Sequence, residues 1–426
     1  MTGRPRVAFV AVIVIALAIG IASWTRLPHE GLPTLSFDGF RYLAGAYSIR
    51  DHHVYRDTDG SPQRVWPPGT SFLYAAASVV TGRPPENLPG AIDICAYLVA
   101  MLAFAVVLAR TVRHSWIASI AFVALACNSF IVSMTNKLWS DPPALALFLV
   151  ALALLAGTKP SLRSVVLAAA AIAIGVAFRY AMISALILPL FVVWRMRTRW
   201  FAPVAGSCAA VMLVVVANRL SGLHPLPLRN DLRAFGMLTV QVLPSQIGLV
   251  GLLAVAAAVL ISARALPIAG VWIAAYIAFL FVAQAFAHPS FTLDLRILIL
   301  LYPAIVLAIA VAADKASNPW LKGCLAALLV IAAGRALHGV VPHPIPSPTC
   351  VTREQLTADL KTKSIAPDAP LSSNAQGLVW YALRRPVSAH PGPGDIVIAV
   401  DPARVCEGVV ETALPDVART RRIALP

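Results

Sequence analysis

Residues 7–23 read VAFVAVIVIALAIGIAS, a run without a charged side chain, preceded by Arg4 and Arg6 and followed by Trp24. As a helix rising about 1.5 Å per residue, it approaches the roughly 30 Å hydrocarbon thickness of a bilayer. Backbone at that depth must satisfy its own hydrogen bonds, so the run reads as a membrane helix. A basic start and the small residue Ala22 leave a cleaved signal peptide as the alternative. Against it, the run is long for that purpose and Trp24 suits an interfacial anchor.

The pattern recurs along the chain. Further apolar runs cover 91–110, 116–134, 142–157, 164–178, 181–194, 201–217, 246–262, 266–287, 296–313 and 320–340, which predicts about eleven spans. Three of them (142–157, 164–178 and 181–194) are short, and the two flanking Arg179 could form one long kinked helix. Composition agrees, with 59% hydrophobic and 12% charged residues and a mean hydropathy of +0.78. A soluble domain carries about a quarter charged residues.

The net charge of +15 is topological. With the N-terminus in the cytoplasm, one face holds Arg4 and Arg6; Arg110 and Arg113; Lys159 and Arg163; Arg195, Arg197 and Arg199; Arg264; Lys315 and Lys322. Only Asp314 opposes them, as the positive-inside rule predicts. The other face holds the mixed-charge loop 24–67, the connector around Asp141, the loop 218–245 and the tail. An odd number of spans then puts the C-terminus outside. No aromatic-basic repeat is present, so nucleic acid is not an expected partner. The expected location is a cell membrane, crossed many times, and the Ala-, Arg- and Pro-rich composition hints at the inner membrane of a high-GC bacterium.

Between the first two spans, Pro67-Pro68-Gly69-Thr70 opens an apolar stretch reaching Val80. It is too short to cross, and paired prolines favour a helix start. We read a helix lying at the outer interface, since a full span would move every later loop to the other side. From Pro342 the character changes: REQLTADLKTK (353–363) has helical periodicity, APLSSN (369–374) reads as a strand, AQGLVWYALRR (375–385) as a helix and GDIVIAV (394–400) as a buried strand. The expected fold is an all-α polytopic membrane domain over 1–341 with a small extracytoplasmic α/β domain over 342–426. Cys95, Cys127, Cys208 and Cys324 lie in apolar runs, where an inert role is expected. Cys350 and Cys406 lie in the tail, where an oxidising compartment would let them pair.

Ionisable groups near membrane depth are expensive and mark functional candidates. Asp38, in LSFDGFRYLAGAY (35–47), is either a general base or an ordinary helix-start residue. Asp141, in NKLWSDPPALALFL (136–149), has the Asp-Pro signature of a helix N-terminus, and with Lys137 and Trp139 it also suits a sugar or phosphate site. Arg179, in GVAFRYAMIS (175–184), either snorkels to the interface or offers its planar fork to phosphate. Arg296, beside Asp294 in SFTLDLRILILLYP (290–303), opposes the dipole of the helix that it opens, so helix stability does not explain it. The 218–245 loop adds Arg219, His224, Arg229, Asp231 and Arg233, and His52-His53 is a weak metal signal. No P-loop, GxGxxG, HExxH or GxSxG occurs.

Taken in order, these elements resemble the GT-C glycosyltransferases, in the branch of protein mannosyltransferases and lipid A aminoarabinose transferases. The resemblance rests on Asp38 with Tyr42 in a D-x-x-x-Y pattern, Trp66-Pro67-Pro68-Gly69, Ser140-Asp141-Pro142, LRILILLYP (295–303) and LSSNAQGLVWYALRRPV (371–387). Two features depart from it: many relatives carry paired acidic residues where this chain has Asp38-Gly39, and the tail is small.

The resemblance implies transfer of a sugar from a polyprenyl-phosphate donor, usually with inversion, to a lipid, glycan or protein acceptor at the outer face. Asp38 would act on the acceptor hydroxyl. Arg179 and Arg296 would meet the phosphate. Asp141 would orient the sugar or acceptor, or help hold a divalent cation. Tyr42 and Trp66 would line the substrate site. A transporter or flippase of lipid-linked precursors, or a non-catalytic scaffold on the same fold, are the other expectations. A transporter would be expected to show paired half-repeats and deep ionisable residues.

Overall fold

The computed structural model describes residues 3–157, 160–196, 201–220, 260, 266–286, 297–340, 351–392, 395–401 and 421–425. The chain divides into a helical unit (Met1–Arg26, Asp93–Thr135 and Ser140–Val341) and a mixed unit (Leu27–Ile92, Asn136–Trp139 and Pro342–Pro426).

In the helical unit, the opening run forms α1 (Gly3–Trp24). Later helices are α4 (Pro89–Thr111), α5 (Ser115–Ala126), α6 (Ser129–Met134), α7 (Asp141–Leu155), α8 (Leu162–Phe178), α9 (Ile187–Arg195), α10 (Phe201–Leu220), α11 (Pro267–Phe286), α12 (Leu301–Lys315) and α13 (Pro319–Val340). Val7–Trp24, Pro89–Thr111 and Pro319–Gly339 are long and apolar enough to cross a membrane. Only 17% and 22% of the first and third are buried, which fits helices whose apolar surface meets lipid. By contrast, α7 and α12 bury residues on every side, including Phe148, Leu149, Leu307 and Ala310. A helix apolar all round belongs in the middle of a bundle.

Several predicted runs are subdivided. The stretch 116–134 breaks at Cys127-Asn128, where the Asn128 side chain accepts from Phe130 N and Ile131 N, both at 3.1 Å. That carboxamide replaces the orphan bonds of a new helix start, which makes the break cheap inside an apolar run. Arg179 takes an extended conformation (φ −147°, ψ 117°). It ends α8 and separates it from a 3-10 segment (Tyr180–Leu186) that leads into α9, so the two runs flanking it are not one kinked helix. Another 3-10 segment, Ile297–Leu300, precedes α12. The expected span 246–262 apart from residue 260, Arg296, most of the 218–245 loop, and Cys350 and Cys406 lie outside the described residues.

The mixed unit joins the segment after α1 to the tail. It contains α2 (Phe37–His52), α3 (Gly69–Thr81), α14 (Arg353–Thr362) and α15 (Gln376–Leu383), with strands β1 (Leu371–Ser373), β2 (Val387–Ser388), β3 (Ile396–Val400) and β4 (Arg421–Leu425). The sheet is parallel throughout, in the order β2-β1-β3-β4. The helix–strand–helix–strand reading of the tail holds, while β2 and β4 complete the sheet unforeseen. Thr352 and Gln355 close a capping box on α14, and Pro67-Pro68 stand just ahead of α3.

Helices α2 and α3 approach closely at Gly45, where a Cβ would meet the Tyr55 ring and sit 2.6 Å from Ser71 Oγ. The core combines Leu35, Leu43 and Tyr74 with Leu378, Val379 and Ile398 of the tail. Polar tethers between the two segments reinforce it. Arg353 donates to Leu35 O, Val387 N donates to Thr58 O at 2.9 Å, and Arg384 pairs with Glu86 at 2.8 Å.

Candidate functional site

The first turn of α2 carries the densest polar geometry. Ser36 is the N-cap, its hydroxyl accepting from Gly39 N at 3.2 Å, and the Trp139 indole also donates to that hydroxyl. Leu138 N bonds Thr34 O at 3.2 Å, so the 136–139 segment buttresses this turn from the side. Asp38 lies half-buried in the turn, where the positive end of the helix dipole favours a negative charge.

Trp66 donates from its indole nitrogen to Asp38 Oδ1 at 3.2 Å. The backbone on either side of Trp66 is tied down: Gln63 Oε1 accepts from Val65 N and Trp66 N (3.1 and 3.5 Å), and Tyr55 OH donates to Trp66 O and Pro67 O (3.1 and 3.3 Å). The Phe37 ring meets Trp66 edge to face at 5.9 Å. One turn along α2, the Arg41 guanidinium lies 5.2 Å from the Phe37 centroid and 5.4 Å from that of Trp66. Such cation–π contacts contribute about 0.5–2 kcal/mol each. Arg41 also pairs with Asp57 at 2.6 Å and donates to Gln376 Oε1 at 2.9 Å. Lys137 sits 4.6 Å from the Trp139 ring. Tyr42 is 3% exposed and belongs to the core of the unit.

In the helical unit, Asp141 opens α7 fully buried and forms an ion pair with Arg179, whose side chain is 15% exposed. The extended backbone at Arg179 is what turns its side chain out of the α8 register. Among the described residues no three metal-ligating side chains gather. A guanidinium on Asp141 Oδ1 makes this a poor cation site.

A third cluster lies in the mixed unit. Glu86, 8% exposed, accepts from Tyr47 OH at 2.8 Å and pairs with Arg384. Arg384 has a left-handed backbone (φ 54°) and lies 4.5–5.2 Å from the Tyr47, Trp380 and Tyr381 rings. Burial, and then the bond to Glu86, push the Tyr47 hydroxyl up to about 12.

Asp38, Trp66 and Tyr42 thus fall in one unit, and Asp141 and Arg179 meet in the other. His53 ends α2 as a left-handed cap and is exposed with His52. Sequence reasoning passed over Asp57, Glu86, Gln376 and Arg384, whose partners are distant in the chain. It also missed Asp93, fully buried near the start of α4, where a lone carboxylate in an apolar run was a readable signal.

Among solved structures, the chain is similar to ArnT from Cupriavidus metallidurans, a lipid A aminoarabinose transferase. The apo form matches with TM-score 0.54 at 13% identity, over 93% of this chain and 86% of that one. The form bound to undecaprenyl phosphate matches with TM-score 0.54 at 15% identity, over 95% and 87%. The Archaeoglobus fulgidus oligosaccharyltransferase, in complex with Zn and sulfate, matches with TM-score 0.55 at 14% identity, over 88% and 62%. No family model and no curated protein matches the sequence. The likeness is one of architecture: across nearly the whole chain, the fold is that of these ArnT and oligosaccharyltransferase structures.

Proposed function

We propose that this chain is a membrane glycosyltransferase that moves a sugar from a polyprenyl-phosphate donor to an acceptor hydroxyl at the extracytoplasmic face. The observation that carries the proposal is Asp38, held in the first turn of α2 with one carboxylate oxygen on the Trp66 indole. A carboxylate oriented in that way can take the acceptor proton as the acceptor oxygen bonds to the anomeric carbon. The bond from that carbon to the phosphate oxygen breaks, and its electron pair leaves on the lipid phosphate. The departing negative charge calls for a cation. Trp66 and Trp139 offer flat faces for a sugar, and Tyr42 supports the α2 turn from the core. Likeness to a structure bound to undecaprenyl phosphate supports the donor class. The sugar is a hexose or a pentose, and the acceptor a lipid, glycan or protein.

The test is donor consumption by purified protein offered a panel of polyprenyl-phosphate sugars, with thermal stabilisation as a second readout. We expect turnover of at least one donor and a fall of about 10²–10⁴-fold in Asp38→Asn at normal protein levels. Full activity in Asp38→Asn would overturn the assignment of the base. No response to any donor would overturn the reaction class in favour of a transporter or scaffold.

A further inference from the structure

We infer that Gln376, in the tail, is a positioning residue for the reaction centred on Asp38, acting through Arg41. The inference rests on the glycosyltransferase proposal above. Gln376 is 3% exposed and opens α15. Its Oε1 accepts from Arg41 Nη2 at 2.9 Å, and its Nε2 donates to the Val387 backbone oxygen on β2. An arginine can only donate and a carbonyl can only accept, so the carboxamide has one orientation that satisfies both.

Arg41 is held on its other side by Asp57 at 2.6 Å. Between these two anchors its guanidinium lies over Phe37 and Trp66, and Trp66 donates to Asp38. The chain of contacts therefore runs from β2 through Gln376, Arg41 and Trp66 to the Asp38 carboxylate. Each link is fixed by a directional bond or a stacked plane. Without Gln376, Arg41 loses the anchor that the tail supplies, which loosens the indole that aims the carboxylate. Small displacements of a reacting group are costly for the rate. The tail, on this inference, supplies part of the machinery for a carboxylate more than three hundred positions earlier in the chain.

Two substitutions separate positioning from mere support of the tail. Gln376→Met loses both bonds. Gln376→Glu keeps an acceptor for Arg41 but sets a carboxylate oxygen against Val387 O, so it harms the tail at least as much. We expect Gln376→Met to lower kcat about 10- to 100-fold with KM nearly unchanged. We expect Gln376→Glu to restore most of kcat although its melting temperature is as low as that of the Met variant. If kcat follows melting temperature across wild type, Glu and Met, the residue is structural and the inference is wrong. If wild type turns over donor, Asp38→Asn does not, and Gln376→Met keeps full kcat, this inference fails while the proposed function stands. If wild type consumes no donor, the proposed function itself has failed.

Discussion

The helical and mixed units solve the same problem, holding carboxylates in place, by opposite means. In the helical unit charge is scarce among the described residues, and the fully buried Asp141 pairs with Arg179. In the mixed unit charge is plentiful and shared. Arg41 divides itself among Asp57, Gln376 and two rings, and Glu86 is served by Tyr47 and Arg384. Removing one partner of a buried ion pair is costly, because the remaining charge is left poorly compensated away from water. A network spreads that cost, so single losses are milder and geometry, rather than stability, is what suffers. The lesson is that mutational effects on stability and on rate should separate between the units.

The largest expected effect on stability tests the buried Asp141–Arg179 pair. Asp141→Ala removes the buried carboxylate that pairs with the Arg179 guanidinium, and should lower stability by about 3–5 kcal/mol, read as thermal unfolding in detergent. Combining Asp141→Leu with Arg179→Met removes both charges and should recover much of that loss. A double variant as unstable as the single one would mean that packing, not charge, holds the site, and the contrast between units would collapse.

The network should respond less. Glu86→Gln weakens the pairing with Arg384 and reverses part of the Tyr47 contact, for an expected loss of about 1–2 kcal/mol. A loss as large as that of Asp141→Ala would show that the mixed unit also hangs on one residue. Next in size comes a pH effect. Folded Tyr47 keeps its proton up to about 12, whereas an exposed tyrosine loses it at about 10. Its contribution to stability is therefore complete below that lower value and fades as pH rises through the higher one. Alkaline unfolding of wild type should steepen between the two, and Tyr47→Phe should flatten that part of the curve. An unchanged curve in Tyr47→Phe would detach Tyr47 from the network.

How much of this was legible follows the same division. Long apolar runs announce themselves, because a bilayer demands many consecutive residues of one kind, and α1, α4 and α13 fall where expected. The break inside the run 116–134 was hidden, because a single side chain, Asn128, produces it and no hydropathy pattern registers that, whereas Arg179 stood between two runs already read as separate. In the tail, α14, β1, α15 and β3 were readable from local periodicity. The two-residue β2 and the basic β4 exist because a parallel neighbour completes them, which is information held elsewhere in the chain. Asp38, Asp141, Arg179 and Trp66 were visible as unusual residues in their local setting. Their partners were not, since Arg41 and Gln376 are 335 positions apart and Glu86 and Arg384 are 298 apart.

The smallest expected effect falls on the glycine that follows Asp38. Gly39 stands where many resembling proteins carry a second acidic residue, so it is natural to suppose that close packing excludes a side chain. The geometry argues otherwise. A Cβ there would lie 3.5 Å from both Leu138 O and Ser36 Oγ, which is ordinary contact, and the backbone is in no conformation that only glycine adopts. Glycine inside a helix costs roughly 0.5–1 kcal/mol relative to alanine through chain entropy. Gly39→Ala should therefore raise stability by about that amount, with kcat within about two-fold of wild type because neither the Trp66 bond nor the Arg41 stack involves this position. If Gly39→Ala instead lowers kcat strongly while raising the melting temperature, flexibility of the first turn of α2 is part of the reaction. The mixed unit would then be a device whose geometry must yield as well as hold, and the contrast with the rigid Asp141–Arg179 pair would widen.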